Sequence, residues 1–218
     1  AFSFSKLTLV AEFIVMAIVL VIRPWGLFGT PQAPQRIAAA SILPLPVPDL
    51  RRAWPLASLA IVLFALPVVA DRYTVVLATD VIIFALFAAS LGLIMGAGGM
   101  GSFGDAAYFG AGAYAAAVAA KAGAPMLIAV PVGVLFAGGL AMVFGWFCVR
   151  LSGVSLAMLT LAFAQITWAI AYQWDSVTGG SNGMIGVWPP ALLSNKSTFY
   201  LATLVLSGVA IGVLWCIV

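Results

Sequence analysis

Apolar stretches of helical length alternate with short polar or glycine-rich connections along this chain of 218 residues. The connections carry most of the charged side chains. A helix that crosses a membrane needs about 20 predominantly apolar residues, and several stretches approach or exceed this length. They lie at residues 7–22, 56–70, 73–95, 125–149, 152–174 and 199–218.

Composition supports the same interpretation. The chain is 65% hydrophobic and 7% charged, with a mean hydropathy of +1.21. A soluble domain of this size carries far more charge on its surface. We therefore predict an all-α, polytopic helical membrane protein with about six hydrophobic segments and one glycine-rich broken helix.

The broken helix is predicted between residues 92 and 114, a stretch that holds eight of the 22 glycines. Five of these lie within 96–104, and each costs a helix roughly 1 kcal/mol relative to alanine. Irregular backbone at membrane depth occurs where protein buries it or where it lines a water-filled cavity. The pattern predicts a half-helix junction next to a transport pathway. The alternative is that the glycines serve only close helix packing.

A slim helix is predicted directly after the break. Ala111, Ala115 and Ala119 recur at four-residue steps, with Gly112 and Ala116 beside them. Small residues at this spacing allow two helix backbones to approach closely. The segment is therefore expected to pack tightly against its neighbours, and it either spans the membrane or re-enters it.

A narrow polar stripe is predicted on the segment at 152–174. At 100° per residue its members fall within a sector of about 100°. They are Ser155, Ala162, Gln165, Ala169 and Tyr172. Such a stripe faces protein or a pathway, and both interhelical hydrogen bonding and substrate contact agree with it.

The charged and polar residues exclude several classes of function. The net charge of +3 is small and scattered, which gives no basis for nucleic-acid binding. The sequence has no histidine and no GxxxxGK[ST] phosphate-binding motif. We therefore predict no catalytic residue, no metal site, no cofactor and no ATP hydrolysis by this chain.

A proline-rich linker is predicted at 30–55. It carries Arg36, Arg51 and Arg52, and arginine in short connections favours the cytoplasmic side. The last apolar stretch stops without a polar end, from which we expect a truncated permease domain at 56–218.

Two motifs resemble the LivM-type permeases of branched-chain amino acid ABC transporters. The first is GSFGDAAYFGAGAY at 101–114, and the second is LAMLTLAFAQITWAIAYQWDSVTGGSNGMIGV at 156–187. Together they cover most of residues 88–190 in the family's order. RPWGLFG at 23–29 also resembles the tail that closes permeases of this family. This resemblance suggests that residues 1–29 are the last helix of an upstream LivH-type permease, which would pack as a separate helix.

The resemblance implies a permease subunit of an importer in the bacterial inner membrane. Its implied partners are a second, LivH-like permease, cytoplasmic ATP-binding subunits, a periplasmic solute-binding protein and membrane lipid. The ATPase-docking segment would lie beyond Val218. A urea or short-chain amide permease, a passive small-solute channel and a membrane enzyme are the alternatives, the enzyme being the weakest.

Candidate pathway residues come from the break and from the polar stripe. They are Gly99, Gly101, Ser102, Gly104, Asp105, Tyr108, Gln165 and Tyr172. Asp105 stands where the family motif has histidine. It either contacts substrate or, as we prefer, caps the helix that restarts there. Leucine at Gly99 or Gly104 is expected to abolish uptake by filling a close approach.

Overall fold

The structure is a computed structural model. It describes residues 4–23, 54–96, 98–99, 101–149, 151, 153–190 and 193–217. All regular secondary structure in these ranges is helical, which confirms the predicted all-α fold. Most of the predicted linker, with its three arginines, lies outside the described residues.

The helices follow the apolar stretches closely. They are α1 (Phe4–Ile22), α2 (Trp54–Val69), α3 (Arg72–Gly96), α4 (Asp105–Lys121), α5 (Met126–Cys148), α6 (Gly153–Gln173), α7 (Asp175–Thr178) and α8 (Lys196–Ile217). Within the described ranges, α3, α5, α6 and α8 are long and apolar enough to cross a membrane. The protein is thus a multi-pass membrane protein.

The helix after the break is shorter than these four. α4 has 17 residues, which at 1.5 Å per residue makes it about 25 Å long. The hydrocarbon core of a bilayer is about 30 Å thick. α4 by itself is therefore somewhat short for a full crossing.

Two compact units divide the chain. The first takes residues 1–31 and 90–190, and the second takes residues 32–89 and 191–218. Each unit joins segments that are distant in sequence.

The first unit contains α1, α4, α5, α6 and α7. Its apolar core includes Ala17 and Leu20 of α1, Cys148 of α5, and Leu159 and Ala162 of α6. Leu159 and Ala162 have no exposed surface. α6 is therefore the helix around which this unit packs.

α1 packs along α6. An apolar α1 face, including Ala17 and Leu20, is buried against α6, while Val15 and Ile18 on the other side are exposed. α1 therefore lies on the outside of α6, which agrees with a helix that is not inserted between the helices that follow. The origin of α1 in an upstream permease stays a prediction.

The second unit contains α2, α8 and most of α3. Val75, Ile82 and Tyr200 form its core. Tyr200 is fully buried, and its hydroxyl donates a hydrogen bond to Leu63 O (2.9 Å). A buried phenol needs such a partner, so this bond ties α8 to α2.

Candidate functional site

The glycine-rich break lies where the sequence predicts it. α3 ends at Gly96, and α4 begins at Asp105. A hydrogen bond from Gly98 N–H to Leu93 O (3.2 Å) closes the end of α3, as is common at helix C-termini. Gly99 has a φ of 59°, in the left-handed region that glycine adopts without steric cost. The backbone therefore leaves the helix between the two elements and restarts at the second.

A side chain of α6 holds the end of the break. Phe103 N–H donates to Thr160 Oγ1 (3.0 Å), and this hydroxyl donates to Ala157 O (2.9 Å). Gly104 lies beside it, because a Cβ added at Gly104 would be 3.4 Å from Thr160 Cβ. The two sequence motifs thus meet in space at Thr160.

Asp105 does not cap α4, so that prediction is wrong. The N-cap is Gly104, whose φ of −84° and ψ of −13° are already helical. The chain turns one residue early because Gly104 N–H bonds Ser102 Oγ (3.3 Å) and Gly104 O accepts from Ala107 N–H (2.9 Å). Asp105 is consequently the first helical residue and is only 9% exposed.

The carboxylate of Asp105 is a buried polar group at a helix N-terminus. Its Oδ2 atom has no hydrogen-bond partner within the described ranges. The positive end of the α4 dipole favours a negative charge at this position. Asp105 and Tyr108 are close enough to interact electrostatically.

Tyr108 belongs to an aromatic group shared by α4, α5 and α6. Its ring centroid is 6.0 Å from that of Phe144, and Phe144 stacks on Phe163 at 4.3 Å with an interplanar angle of 6°. Aromatic pairs of this kind contribute about 0.5–1.5 kcal/mol beyond their buried area. The group therefore stabilises the packing of these three helices next to the break.

A cavity of about 960 Å³ lies in the first unit, between α4, α5, α6 and α7. Mostly small residues of α4 form one wall, and mostly apolar residues of α5, α6 and α7 form the others. The aromatic wall residues are Tyr114, Phe136, Phe144, Trp168 and Trp174. Hydroxyl and amide groups are few, and they belong to Tyr114, Gln165, Thr167 and Thr178. The cavity thus combines an apolar surface with a small number of hydrogen-bonding groups, as sites for small molecules commonly do.

The two small-residue rows of α4 have different roles. Ala111, Ala115 and Ala119 line the cavity. Gly112 instead meets α5, where a Cβ added at Gly133 would lie 2.6 Å from Gly112 O. The expectation of tight packing is correct for Gly112, whereas the alanine row forms part of a wall.

The second motif forms a structured turn at the cavity. Thr178 Oγ1 donates to the carbonyl oxygens of Ala171 and Trp174, and it accepts from Gly180 N–H (3.3 Å). Gly179 has a φ of 78°, and a Cβ there would overlap the carbonyl oxygen of Gly183. The segment contains α7 and a 3-10 turn at Gly180–Asn182, which fix Thr178 in the cavity wall.

The predicted site residues fall into three groups. Gln165 lines the cavity. Tyr108 and Tyr172 each contact a residue of the cavity wall. The ring centroid of Tyr108 is 6.0 Å from that of Phe144, and Tyr172 stacks on Trp168 at 5.1 Å. The remaining residues lie at the break and not in the cavity wall, namely Gly99, Gly101, Ser102, Gly104 and Asp105.

Several wall residues escaped the sequence analysis. Tyr114 and Thr178 each belong to a recognised motif, and this membership was the available signal. Trp168 and Trp174 also belong to the second motif, but their residue type gave no further signal because aromatic residues are frequent in membrane proteins. Among the described residues no group of three His, Cys, Asp or Glu side chains could hold a metal ion.

Comparison with known proteins places the site within a matched region. The family model described as "Branched-chain amino acid transport system / permease component" matches residues 73–218. The high-affinity branched-chain amino acid transport system permease protein LivM of Escherichia coli (strain K12) is 28% identical over 138 residues, which is 63% of this chain. No solved structure matches the chain.

The match to LivM covers 32% of that protein's length. The family match, by contrast, covers most of this chain and includes the break, α4, the cavity and the glycine turn. The chain therefore belongs to the family of permease components of branched-chain amino acid transport systems.

Proposed function

We propose that this chain is part of a permease subunit of an ABC importer for branched-chain amino acids and that it forms part of the translocation pathway. The observation that carries the proposal is the largely apolar cavity beside the glycine-rich break, within the region matched by the family model. The LivM relative is itself a permease of high-affinity branched-chain amino acid transport.

The chemistry of the cavity suits this substrate class. Its aliphatic and aromatic walls favour an apolar side chain, since burial contributes about 25 cal/mol per Å² of apolar surface. Gln165 offers hydrogen bonds to the polar end of an amino acid, and the Thr167 hydroxyl, which donates to Phe163 O (2.8 Å), can still accept one. This lining favours a branched-chain amino acid over urea or a short-chain amide, which have less apolar surface to bury.

The size of the cavity suits a passage. Sites for small molecules measure about 300–1,000 Å³, and this cavity is near the upper limit. A single amino acid is small compared with a space of that size. We assign Gln165 to substrate contact, with Tyr108 and Tyr172 supporting the walls. Gly99, Gly101, Ser102, Gly104 and Asp105 form the junction at which the pathway opens.

The transport cycle needs further subunits. The sequence lacks a P-loop, so we assign ATP hydrolysis to separate cytoplasmic subunits and transport to this chain. A second permease completes the pathway, and a periplasmic binding protein delivers the solute. The location implied by this assembly is the bacterial inner membrane.

Uptake of labelled leucine into vesicles tests the proposal. The full-length protein that contains this chain is reconstituted with the second permease and the ATP-binding subunits, and binding protein is added outside. We expect uptake that requires ATP inside the vesicles and that excess isoleucine or valine suppresses. Uptake without ATP would instead indicate a channel. ATP-dependent uptake of urea or acetamide without leucine uptake would assign the protein to the amide permeases.

Gly104→Leu is expected to abolish this uptake while the protein still inserts into the membrane. A Cβ at Gly104 meets Thr160 and Tyr108 at 3.4–3.6 Å, which is ordinary contact, so Gly104→Ala should transport nearly normally. Leucine has no room there and would displace the break from α6. Uptake per inserted protein is the measurement, with Gly208→Leu as control because a Cβ at Gly208 has nothing within 4 Å.

The structure at Gly99 differs from the expectation that leucine there fills a close approach. A Cβ at Gly99 would meet nothing within 4 Å, so the close approach predicted there is absent. A side chain at Gly99 strains the backbone at its positive φ, but its Cβ collides with no atom of the described residues. A fully active Gly104→Leu transporter would leave the glycines as packing residues and move the pathway away from the break.

A further inference from the structure

We propose that the hydroxyl group of Thr160 is a positioning group for transport, which fastens the end of the glycine-rich break to α6. This inference rests on the proposed permease function, but it assigns a task that neither sequence motif shows alone. Thr160 is 4% exposed and is not part of the cavity wall. Its role is therefore to place other residues and not to touch the substrate.

The hydrogen bonds of Thr160 give it this role. A threonine inside a helix commonly bonds a carbonyl of its own preceding turn, and the hydroxyl proton of Thr160 does so with Ala157 O (2.9 Å). Its oxygen remains free to accept, and it accepts from Phe103 N–H (3.0 Å). The same atom thus anchors itself in α6 and holds the backbone of the break.

The hydrogen bond from Phe103 N–H to Thr160 Oγ1 lies directly before the start of α4. Phe103 precedes the N-cap Gly104, and Asp105 begins α4 directly afterwards. The segment before Phe103 holds glycines at 96, 98, 99 and 101, which resist bending little. The bond to Thr160 therefore sets where α4 starts relative to α6, and both of these helices line the cavity.

Thr79 supplies a control, because its described hydrogen bond stays within one helix. Thr79 of α3 is also buried, and its Oγ1 donates to Val75 O in the same helix (2.9 Å). Replacing Thr79 by valine removes a buried hydroxyl of the same kind. It should leave the break untouched. Thr160→Val removes the acceptor with little change in shape, and Thr160→Ser retains it.

Hydrogen–deuterium exchange of the Phe103 amide, followed in the full-length protein, tests the bond without reference to transport. We expect slow exchange in the wild type and in Thr160→Ser. In Thr160→Val exchange should be faster by about tenfold or more, because a hydrogen bond worth about 1.4 kcal/mol corresponds to that factor. Thr79→Val should match the wild type.

Leucine uptake by the same proteins tests the function. We expect the maximal rate of Thr160→Val to fall by about tenfold, the same factor as for exchange. The leucine concentration for half-maximal uptake should change little, because Thr160 lies outside the cavity wall. Thr160→Ser should recover the rate.

Three outcomes would overturn the inference. One is a Thr160→Val protein with unchanged Phe103 exchange and unchanged uptake. Another is a Thr160→Ser protein that transports as poorly as Thr160→Val, because the hydroxyl would then not be the cause. The third applies if Thr160→Val fails to reach the membrane. Fast exchange of the Phe103 amide in the wild type or in Thr160→Ser would then show that the Thr160 hydroxyl does not hold this amide. A wild type that protects Phe103 but takes up no leucine would contradict the proposed function alone.

Discussion

Gly133→Leu is expected to separate α4 from α5 and to abolish uptake, with a fall of roughly 3 kcal/mol in the free energy of unfolding. A Cβ at Gly133 would lie 2.6 Å from Gly112 O and 3.0 Å from Ala116 Cβ. The first of these atoms belongs to the backbone of α4 and cannot rotate away. The whole helix would have to move, and with it the cavity wall that α4 provides.

Thermal unfolding of the purified full-length protein in detergent measures the effect on stability. Gly138→Leu is the matched control, since Gly138 belongs to the same helix and a Cβ there has nothing within 4 Å. It should unfold close to the wild-type temperature. Equal unfolding temperatures for the two variants would contradict the close approach of α4 and α5 at Gly133.

Gly179→Ala is expected to disrupt the turn that holds Thr178 in the cavity wall, at a cost of roughly 3 kcal/mol. Gly179 has a φ of 78°, which disfavours any side chain. The new Cβ would also overlap Gly183 O, again a backbone atom. Relief requires the turn to open, and the Thr178 hydroxyl then loses its bond from Gly180 N–H.

A second glycine, Gly123, separates the cost of backbone strain at positive φ from the cost of a collision between the new Cβ and a backbone atom. Gly123 has a φ of 91°, but a Cβ there meets nothing within 4 Å. Gly123→Ala should therefore cost only about 1 kcal/mol and should retain uptake. The measurements are the unfolding temperature and the leucine uptake of Gly179→Ala and Gly123→Ala. A Gly179→Ala protein no less stable than Gly123→Ala would show that the turn does not have the described geometry.

The glycine-rich break shows which structural features follow from local sequence patterns and which do not. Five glycines within nine residues oppose a helix wherever they lie, so the interruption between Gly96 and Asp105 followed from the sequence. The capping residue did not follow. Capping propensity favours aspartate, but Ser102 Oγ and Ala107 N–H engage Gly104 and start the turn one residue earlier. Contacts between neighbouring residues thus outweighed an average preference.

The sequence by itself determined the class of the protein, the bounds of most helices, the break and the resemblance to a permease family. These features depend on hydropathy and on backbone preferences, which act within a few residues. Only the tertiary structure decided that Ala111 faces a cavity while Gly112 meets α5, and that Thr160 bonds Phe103. Helical spacing fixes the angle between two side chains but not the direction in which a neighbouring helix lies. Partners 57 residues apart meet only once the helices have packed.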